Sequence, residues 1–165
     1  MATMQKIVSS LWFDNEAEEA AYFYTSVFEG GTIGRITYYG KAGFERHKRL
    51  EGSVMTVEFR IAGQEFVALN GGPYFKFTEA ISLIVNCDNQ QEIDYYWDKL
   101  SEGGDERAQM CGWLKDKYGV SWQIVPAVLS ELIARDPVKT DQVMDALLKM
   151  TRKLDIATLE AAYNR

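Results

Sequence analysis

The sequence is short of histidine, cysteine and positive charge, and each shortage excludes a class of function. Its one histidine, His47, and its two cysteines, Cys87 and Cys111, form neither a Cys-X-X-Cys pair nor the spacing of a zinc module. The 18 basic residues are outnumbered by 24 acidic ones, which gives a formal net charge of −6. Because nucleic acids and anionic membrane surfaces attract positively charged proteins, neither is an expected partner.

The sequence also lacks any long apolar run. No segment is apolar over the length needed to cross a bilayer, and the opening "MATMQKIVSS" has no apolar signal-peptide core. Together with the two isolated cysteines, this favours a cytoplasmic location. The composition is that of a globular protein, 47% hydrophobic and 25% charged over 165 residues. That length suffices for one domain, or for two small modules that share a core.

Two segments 72 positions apart resemble each other. "SLWFDNEAEEAAYFYTSVFEGG" at 10–31 and "SLIVNCDNQQEIDYYWDKLSEGG" at 82–104 each read as a short apolar strand, a polar cluster, a helix and a glycine stop. In the first copy, Asn15 is the expected helix cap, with Glu18 completing a capping box. In the second copy the cap is Asp88 or Asn89. Chance similarity of two amphipathic segments is the alternative to a true repeat.

Strand-like segments follow each predicted helix. After the first helix they are "GTIGRITYYG", "GSVMTVEFRIA" and "GQEFVALNGG", and after the second they are "ERAQMCGWLKD" and "GVSWQIVP". Each half therefore reads as strand, helix and two or three strands. One such half buries only one face of its sheet, so two halves are expected to share a core in an α+β fold.

The hairpin "KDKYGVSWQIVP" at 115–126 raises a question about Gln123. Alternation places Val120, Trp122 and Ile124 on one face of its second strand, and Ser121, Gln123 and Val125 on the other. Gln123 then either faces solvent or a neighbouring backbone, or points into a pocket. Asp116, Lys117 and Gly119 are interpreted as turn residues, and Cys111 as a packing residue rather than a nucleophile.

The sequence changes character after Pro126. "PAVLSELIARDP" predicts a short helix that ends at Asp136-Pro137, and "TDQVMDALLKMTRKL" predicts a longer one capped at Thr140 or Asp141. A third helix is expected to start at Asp155. The apolar stripe of the longer helix, widened by Met144 and Leu148, predicts a core or a contact with a second subunit; it comprises Val143, Leu147, Met150 and Leu154.

Several of these segments together resemble the PhnB-like family, often called "3-demethylubiquinone-9 3-methyltransferase". They are "LWFDNEAEEAAYFYTSVF", "EFVALNGGPYFKFTEAISLIV", "CGWLKDKYGVSWQIVP" and "VMDALLKMTRKLDIATLEAA". The family lies in the vicinal oxygen chelate superfamily, with glyoxalase I, bleomycin-resistance proteins and extradiol dioxygenases. The resemblance implies two βαββ(β) modules, a curved mixed sheet around a ligand hollow, and a homodimer.

The resemblance also implies domain boundaries. Residues 1–126 would form the glyoxalase/bleomycin-resistance-like domain, with modules at about 1–72 and 73–126. Residues 127–165 would form a helical tail that packs on this domain or on a dimer partner.

The metal positions of the superfamily, carried over to this chain, fall near Val8, Ala68, Ala80 and Gln123. The first three side chains offer no ligand atom, and one glutamine oxygen does not hold a divalent cation. No metal and no other cofactor is therefore expected. The nearby polar side chains are weak ligands; they are Ser10, Asn70, Ser82 and Ser121.

The same carry-over predicts an apolar cup with a few amides and hydroxyls, which is the usual character of a small-molecule site. The predicted ligand-binding residues are Ser10, Trp12, Phe66, Asn70, Ser121 and Gln123. No catalytic residue is predicted. Methyl transfer is not expected, because the sequence lacks the glycine-rich first turn of a doubly wound cofactor-binding sheet.

Two functions fit this sequence. The first is a non-catalytic protein that binds an apolar or aromatic small molecule. The alternative is a metal-independent enzyme that acts on a small metabolite through Gln123, Asn70 or a tyrosine. An enzyme is expected to place a titratable group with a perturbed pKa in the hollow.

Overall fold

The computed structural model describes residues 5–134 and 136–165, which form two compact units with the boundary between Lys76 and Phe77. Each unit contains a sheet with a helix on one of its faces. The α+β class, the two strand–helix–strand modules and the helical tail predicted from the sequence are confirmed. Within the described ranges, no helix has both the length and the apolar character required to cross a bilayer.

The first unit follows the predicted order of strand, helix and three strands. Its elements are β1 (Ser9–Phe13), α1 (Ala17–Val27), β2 (Thr32–Tyr38), α2 (Phe44–His47), β3 (Val54–Ile61) and β4 (Gln64–Asn70). The strand order is β1-β4-β3-β2, in which β1 runs parallel to β4 and the other pairs are antiparallel. The first and last strands of the module are thus neighbours at one side of the sheet.

Helix α1 covers one face of this sheet with small residues and one large ring. Ala17, Ala20 and Ala21 are fully buried, which lets the helix backbone approach the strands closely. The Tyr24 ring stacks on Phe59 of β3 with centroids 5.9 Å apart, and Phe59 stacks on a phenylalanine of β4 at 5.2 Å. Such ring pairs each contribute about 0.5–1.5 kcal/mol beyond their buried area.

The second unit repeats this plan with a smaller sheet and adds three helices. Its elements are β5 (Leu83–Cys87), α3 (Gln90–Ser101), β6 (Trp113–Lys115), β7 (Ser121–Pro126), α4 (Val128–Ala134), α5 (Pro137–Leu148) and α6 (Ile156–Tyr163). The strand order is β5-β7-β6, with β5 parallel to β7. As alternation predicts, Val120, Trp122 and Ile124 are buried, and so are Ile93 and Trp97 of α3.

The helix caps differ from the predicted ones in two places. The prediction that Asn15 caps α1 is wrong: the helix has no cap from a neighbouring side chain, and the Ala17 amide instead donates to Oδ1 of Asn70 at 2.8 Å. For α3, the predicted Asn89 accepts from the amide of Glu92 at 3.0 Å. Helix α5 starts earlier than expected, because Asp136 caps it and Pro137 occupies its first turn.

The segment before β6 is not the strand that the sequence predicted. Residues 106–108 form a 3-10 turn, and Cys111 and Gly112 have φ angles of 52° and 83°, which no regular strand allows. The amides of Cys111 and Gly112 donate to the carbonyls of Met150 and Arg152, at 3.0 and 2.9 Å. Two tail carbonyls therefore take the place of a strand neighbour.

The tail helices have their own small core and contact α3 and the segment before β6. The core consists of Leu132, Val143, Leu147, Leu154 and Leu159, with Met150 packed against it. Gln90 of α3 donates to the Leu154 carbonyl at 3.1 Å and accepts from the Ile156 amide at 3.0 Å. Asp155 caps α6 as predicted, whereas Leu148, expected to widen the stripe, is exposed.

Candidate functional site

The first sheet has one face covered by α1 and one open face. The strand register shows which residues lie on each face, because residues paired across neighbouring strands point to the same side of the sheet. Ala68 of β4 pairs with Leu11 of β1 and with Val57 of β3 on the helix side, where all three are buried. Ser10 pairs with Val67 on the open side.

The predicted ligand residues of the first unit are divided between these two faces. Ser10 and Trp12 lie on the open face of β1, whereas Phe66 and Asn70 lie on the helix side of β4. The sequence interpretation that grouped all four on one face is wrong. On β4, residues of both parities are apolar, so alternation alone does not distinguish its two faces.

A groove of about 490 Å³ lies in the first unit, where residues of β2, β3 and β4 and the residue before β1 line it. We call it the first-unit groove; its lining residues are Val8, Thr32, Gly34, Arg35, Glu58, Phe59, Arg60, Glu65, Phe66 and Val67. Within it, the Arg35 guanidinium and the Glu58 carboxylate form an ion pair at 2.6 Å. The groove is thus lined by aliphatic side chains and by an arginine and a glutamate that neutralise each other.

Trp12 is fixed at the end of β1. Its indole N–H donates to the Gly72 carbonyl at 2.8 Å, and its ring meets the edge of Phe75 with centroids 4.8 Å apart. A Cβ at Gly71 would lie 2.2 Å from the indole, so only glycine allows this approach. Trp12 therefore presents a half-buried aromatic surface on the open face of the first sheet.

Asn70 holds backbone groups together on the helix side. Besides accepting from the Ala17 amide, its side chain donates to the Val54 carbonyl at 3.1 Å. The backbone carbonyl of Asn70 accepts from Tyr39 Oη at 2.7 Å. Asn70 also lines a polar cavity of about 250 Å³ with Arg49, whose guanidinium binds the Asp14 carboxylate at 3.0 Å. These bonds give Asn70 a structural role.

Gln123 lies on the open face of the second sheet. The register pairs it with Ile84 on β5 and with Trp113 on β6, so its amide lies between two apolar side chains. Gln123 is half-buried, and its Nε2 donates to Oγ of Ser82 at 2.8 Å. The residues around Gln123, which are Ser82, Ile84 and Trp113, therefore all belong to the second unit.

Ser121 lies two residues before Gln123 on the same face. It pairs across the sheet with Lys115, whose ammonium binds the Glu79 carboxylate at 2.5 Å. The hydrogen bond from Lys115 holds the pKa of Glu79 below its ordinary value. Ser121 itself is 1% exposed, and its Oγ has no hydrogen-bond partner among the described residues.

Cys111, which was considered as a nucleophile, and His47, the single histidine, both make contacts that hold the fold together. Cys111 Sγ donates to the Leu148 carbonyl at 3.7 Å. His47 is half-buried: its ring packs on Tyr39 at 4.6 Å, and Nδ1 accepts from the Arg49 amide at 3.0 Å. Burial raises the pKa of Cys87 to about 12, with Glu92 and Asp88 adding to the shift, so this thiol is not activated.

Asp116 is the polar residue whose importance the sequence interpretation missed. It is 2% exposed and accepts from the Trp122 indole at 2.8 Å and from the amides of Val120 and Tyr118 at 3.0 and 2.9 Å. The sequence pattern that indicates this role is an aspartate in a turn, six residues before a tryptophan on the buried face of the strand. Asp116 fixes the hairpin that carries Ser121 and Gln123.

The positions that correspond to metal ligands in the superfamily do not supply a ligand set. Val8 and Ala80 have no donor atom, Ala68 points to the helix side, and the Gln123 amide is bonded to Ser82. Over residues 5–134 and 136–165, no three or more His, Cys, Asp or Glu side chains are grouped to hold an ion. The side chains at these four carried-over positions do not offer the several oxygen or nitrogen donors that a divalent cation requires.

Two strand–helix–strand units of this topology, each with a parallel pairing of its first and last strands, define a vicinal oxygen chelate fold. The family model described as 3-demethylubiquinone-9 3-methyltransferase matches residues 5–125. The chain belongs to this PhnB-like family, as the sequence segments indicated.

Solved structures agree with this assignment. The PhnB protein from Bacillus cereus is 39% identical, with all of its chain and 74% of this one aligned at a TM-score of 0.64. A protein from Pseudomonas aeruginosa is 23% identical over 75% of this chain and 98% of its own, with a TM-score of 0.59. The fosfomycin resistance protein FosX from Mesorhizobium loti shares the fold at 12% identity and a TM-score of 0.52, over 81% of this chain and 100% of its own. No curated protein matches the chain.

Proposed function

We propose that this protein binds an apolar or aromatic small molecule on its open sheet surfaces, without a metal held by the protein. The first-unit groove carries the proposal, since about 490 Å³ is within the range of small-molecule sites. Val8 and Val67 supply apolar wall, and Trp12 offers an aromatic surface on the same sheet face. Of the residues predicted from the sequence, Ser10 pairs with the wall residue Val67 on the open face, and Phe66 contributes to the lining although its ring lies on the helix side.

The charges in the groove favour a ligand with little net charge of its own. Arg35 and Glu58 neutralise each other, and Arg60 and Glu65 are paired positions of opposite charge on neighbouring strands. An ionic ligand would have to compete with the Arg35–Glu58 ion pair. An uncharged ring with one or two polar substituents would fill the apolar wall and find donors and acceptors at the rim.

The name of the family does not extend this proposal to methyl transfer. Both sheets contain antiparallel pairs, and β1 is followed by Asp14, Asn15 and Glu16 where a cofactor-binding turn would be rich in glycine. We therefore propose binding as the function, with metal-independent turnover of a small metabolite as the alternative. A homodimer and a cytoplasmic location are part of the proposal. The dimer is supported by the family resemblance, and the location by the isolated cysteines and the lack of an apolar signal-peptide core.

The test is a fragment screen read by amide resonances of the ¹⁵N-labelled protein. Neutral aromatic compounds are expected to shift the amides of Val8, Gly34 and Val67. The substitution Val67→Trp would fill the groove and abolish these shifts, while Tyr22→Trp, at an exposed position of α1, would leave them unchanged. Shifts that persist in Val67→Trp would place binding elsewhere and contradict the proposal.

The same samples separate binding from turnover. Compound resonances recorded over hours stay constant for a binding protein and change for an enzyme. Light scattering of the purified chain is expected to give twice its mass of 18.8 kDa. Stoichiometric metal in the purified protein would contradict the proposed absence of a metal site.

A further inference from the structure

The open face of the second sheet contains a buried hydroxyl without a partner. Ser121 is 1% exposed, and within the described part of the chain nothing accepts from or donates to its Oγ. A buried polar group without a hydrogen bond is destabilising, and such groups are rare in native proteins. Ser121 therefore points to something that the free chain does not provide.

Two further donors lie on the same face. Lys115 is the cross-strand neighbour of Ser121, and Gln123 follows two positions along the same strand. Gln123 Nε2 uses one proton on Ser82, at 2.8 Å, and an amide nitrogen carries two. A hydroxyl, an ammonium and an amide N–H thus line one side of the second sheet, next to the apolar side chains of Ile84 and Trp113.

A carboxylate from the chain itself already occupies the ammonium. Glu79, in the segment between β4 and β5, binds Lys115 Nζ at 2.5 Å. The side chain of Glu79 is 60% exposed, whereas that of Lys115 is 24% exposed. An exposed carboxylate exchanges readily with solvent, since such a surface ion pair contributes little to stability. Glu79 is consequently a replaceable partner for a largely buried cation.

We propose that this face binds the carboxylate of a small aromatic acid, which displaces Glu79 from Lys115 and satisfies Ser121 Oγ and Gln123 Nε2. This inference rests on the proposed binding function. It adds that the ligand of the second unit is negatively charged. The ring of the acid packs against Ile84 and Trp113. Glu79 then acts as an internal competitor that lowers the affinity for such acids.

Charge balance selects a carboxylate over a phosphate. Lys115 contributes one positive charge, and Ser121 and Gln123 are neutral donors, so the site neutralises a single negative charge. The nearby Asp105 carboxylate is bound by Arg107 through two bonds of 3.0 Å and adds no net charge to the site. A dianionic phosphate would bring a second negative charge to a chain whose formal net charge is already −6.

The experiment titrates the full chain with benzoate, benzamide and phenyl phosphate and follows the amides of Lys115, Ser121 and Gln123. Benzoate is expected to bind at least about tenfold more tightly than benzamide, because a hydrogen bond to a charged group is worth more than one to a neutral group. The same margin is expected over phenyl phosphate, whose second negative charge the single ammonium leaves unbalanced. Lys115→Gln removes this preference, and Ser121→Ala weakens benzoate by about fivefold. Glu79→Gln tightens benzoate by about threefold, because the competitor is gone.

Controls come from a matched ion pair elsewhere in the chain. Lys149 binds Asp145 at 2.6 Å on the exposed side of α5, so Lys149→Gln and Asp145→Asn make the same chemical changes away from the site. Neither is expected to change benzoate binding. If Lys115→Gln failed to fold, Glu79→Gln would still test the competition, since it removes only an exposed carboxylate.

The outcomes separate this inference from the binding function. Equal affinities for benzoate and benzamide, unaffected by Lys115→Gln, would overturn the carboxylate site and leave the proposed binding function intact. Stronger binding of phenyl phosphate would replace the carboxylate with a phosphate and overturn the inference. Failure of neutral fragments to shift any groove amide would count against the binding function itself.

Discussion

The two units share one plan but hold their helices in different ways. In both units the first strand pairs in parallel with the last, and a helix covers the sheet. The N-terminus of α3 is capped by the adjacent Asn89, whereas that of α1 is bound by Asn70, 53 residues further along the chain. The repeat thus keeps its topology, while the helix cap is local in one copy and tertiary in the other.

The units also differ at the edge of the sheet. In the first, β2 runs along β3 as a fourth strand. In the second, β6 has only three residues, and the amides before it bind carbonyls of the tail. The loop between α5 and α6 therefore supplies in the second unit the backbone acceptors that a strand supplies in the first. Five measurements sharpen this comparison; they concern four effects, ordered from the largest expected effect to the smallest.

The largest effect is expected for thiol labelling, which probes the second unit alone because both cysteines lie there. Cys87 is fully buried beneath α3, whereas Cys111 is half-buried. Iodoacetamide at about pH 8 is expected to label Cys111 at least about a hundredfold faster, since Cys87 requires an opening that costs several kcal/mol. Comparable rates, measured by mass spectrometry of peptides, would contradict the burial of Cys87.

The same thiol gives a pH dependence. Burial raises the pKa of Cys87 from 9.0 to about 12, so the folded state holds a proton that the unfolded state releases. The stabilisation from this group is complete below pH 9 and is lost as the pH rises towards about 12. Urea unfolding of Cys87→Ala is expected to show a weaker decline of stability over this alkaline range than the parent protein.

The second effect concerns the tail core. Leu154 is 1% exposed and Leu148 is 65% exposed, so the two leucines form a matched pair. Leu154→Ala is expected to lower the free energy of unfolding by about 3 kcal/mol through lost burial and a cavity. Leu148→Ala is expected to change it by less than about 0.5 kcal/mol. Equal effects in urea titrations would mean that the tail adds no core to the second unit.

The third effect tests the two caps directly. Asn70→Ala removes a side chain that binds the Ala17 amide and the Val54 carbonyl, and it is expected to cost about 2 kcal/mol. Asn89→Ala removes one local cap bond and is expected to cost about 1 kcal/mol. The reverse order in thermal unfolding would show that the tertiary cap is the weaker of the two.

The smallest effect has the opposite sign. Ser121→Ala removes a buried hydroxyl that has no partner within the described chain, so it is expected to stabilise the free protein by about 1 kcal/mol or less. A loss of more than about 1 kcal/mol would mean that the hydroxyl is satisfied in the free protein. The carboxylate site would then lose its main support.

Local patterns in the sequence predicted the elements well. The cap of α3, the faces of β7 and the start of α6 all follow from residues within a few positions of each other. The cap of α1 could not be predicted in this way, because its acceptor comes from β4. The faces of β4 were ambiguous as well, since Phe66, Val67, Ala68 and Leu69 are all apolar.

The candidate site was predicted in part for the same reason. Ser121 and Gln123 were placed on one face because their strand alternates clearly. The roles of Lys115 and Glu79 depend on a contact between a strand and a linker, which alternation does not encode. Asp116 was read as a turn residue, although burial of the adjoining Trp122 makes it a hydrogen-bond acceptor in the core.

The two tail carbonyls that bind Cys111 and Gly112 have a consequence for chain length. The family model ends at residue 125, and the Bacillus cereus protein is fully aligned with only 74% of this chain. A version of this protein cut back to the family length would lose the acceptors for two backbone amides and uncover Gly112, whose Cβ position already lies 3.0 Å from Leu154. Shortening this chain is therefore expected to damage its second unit.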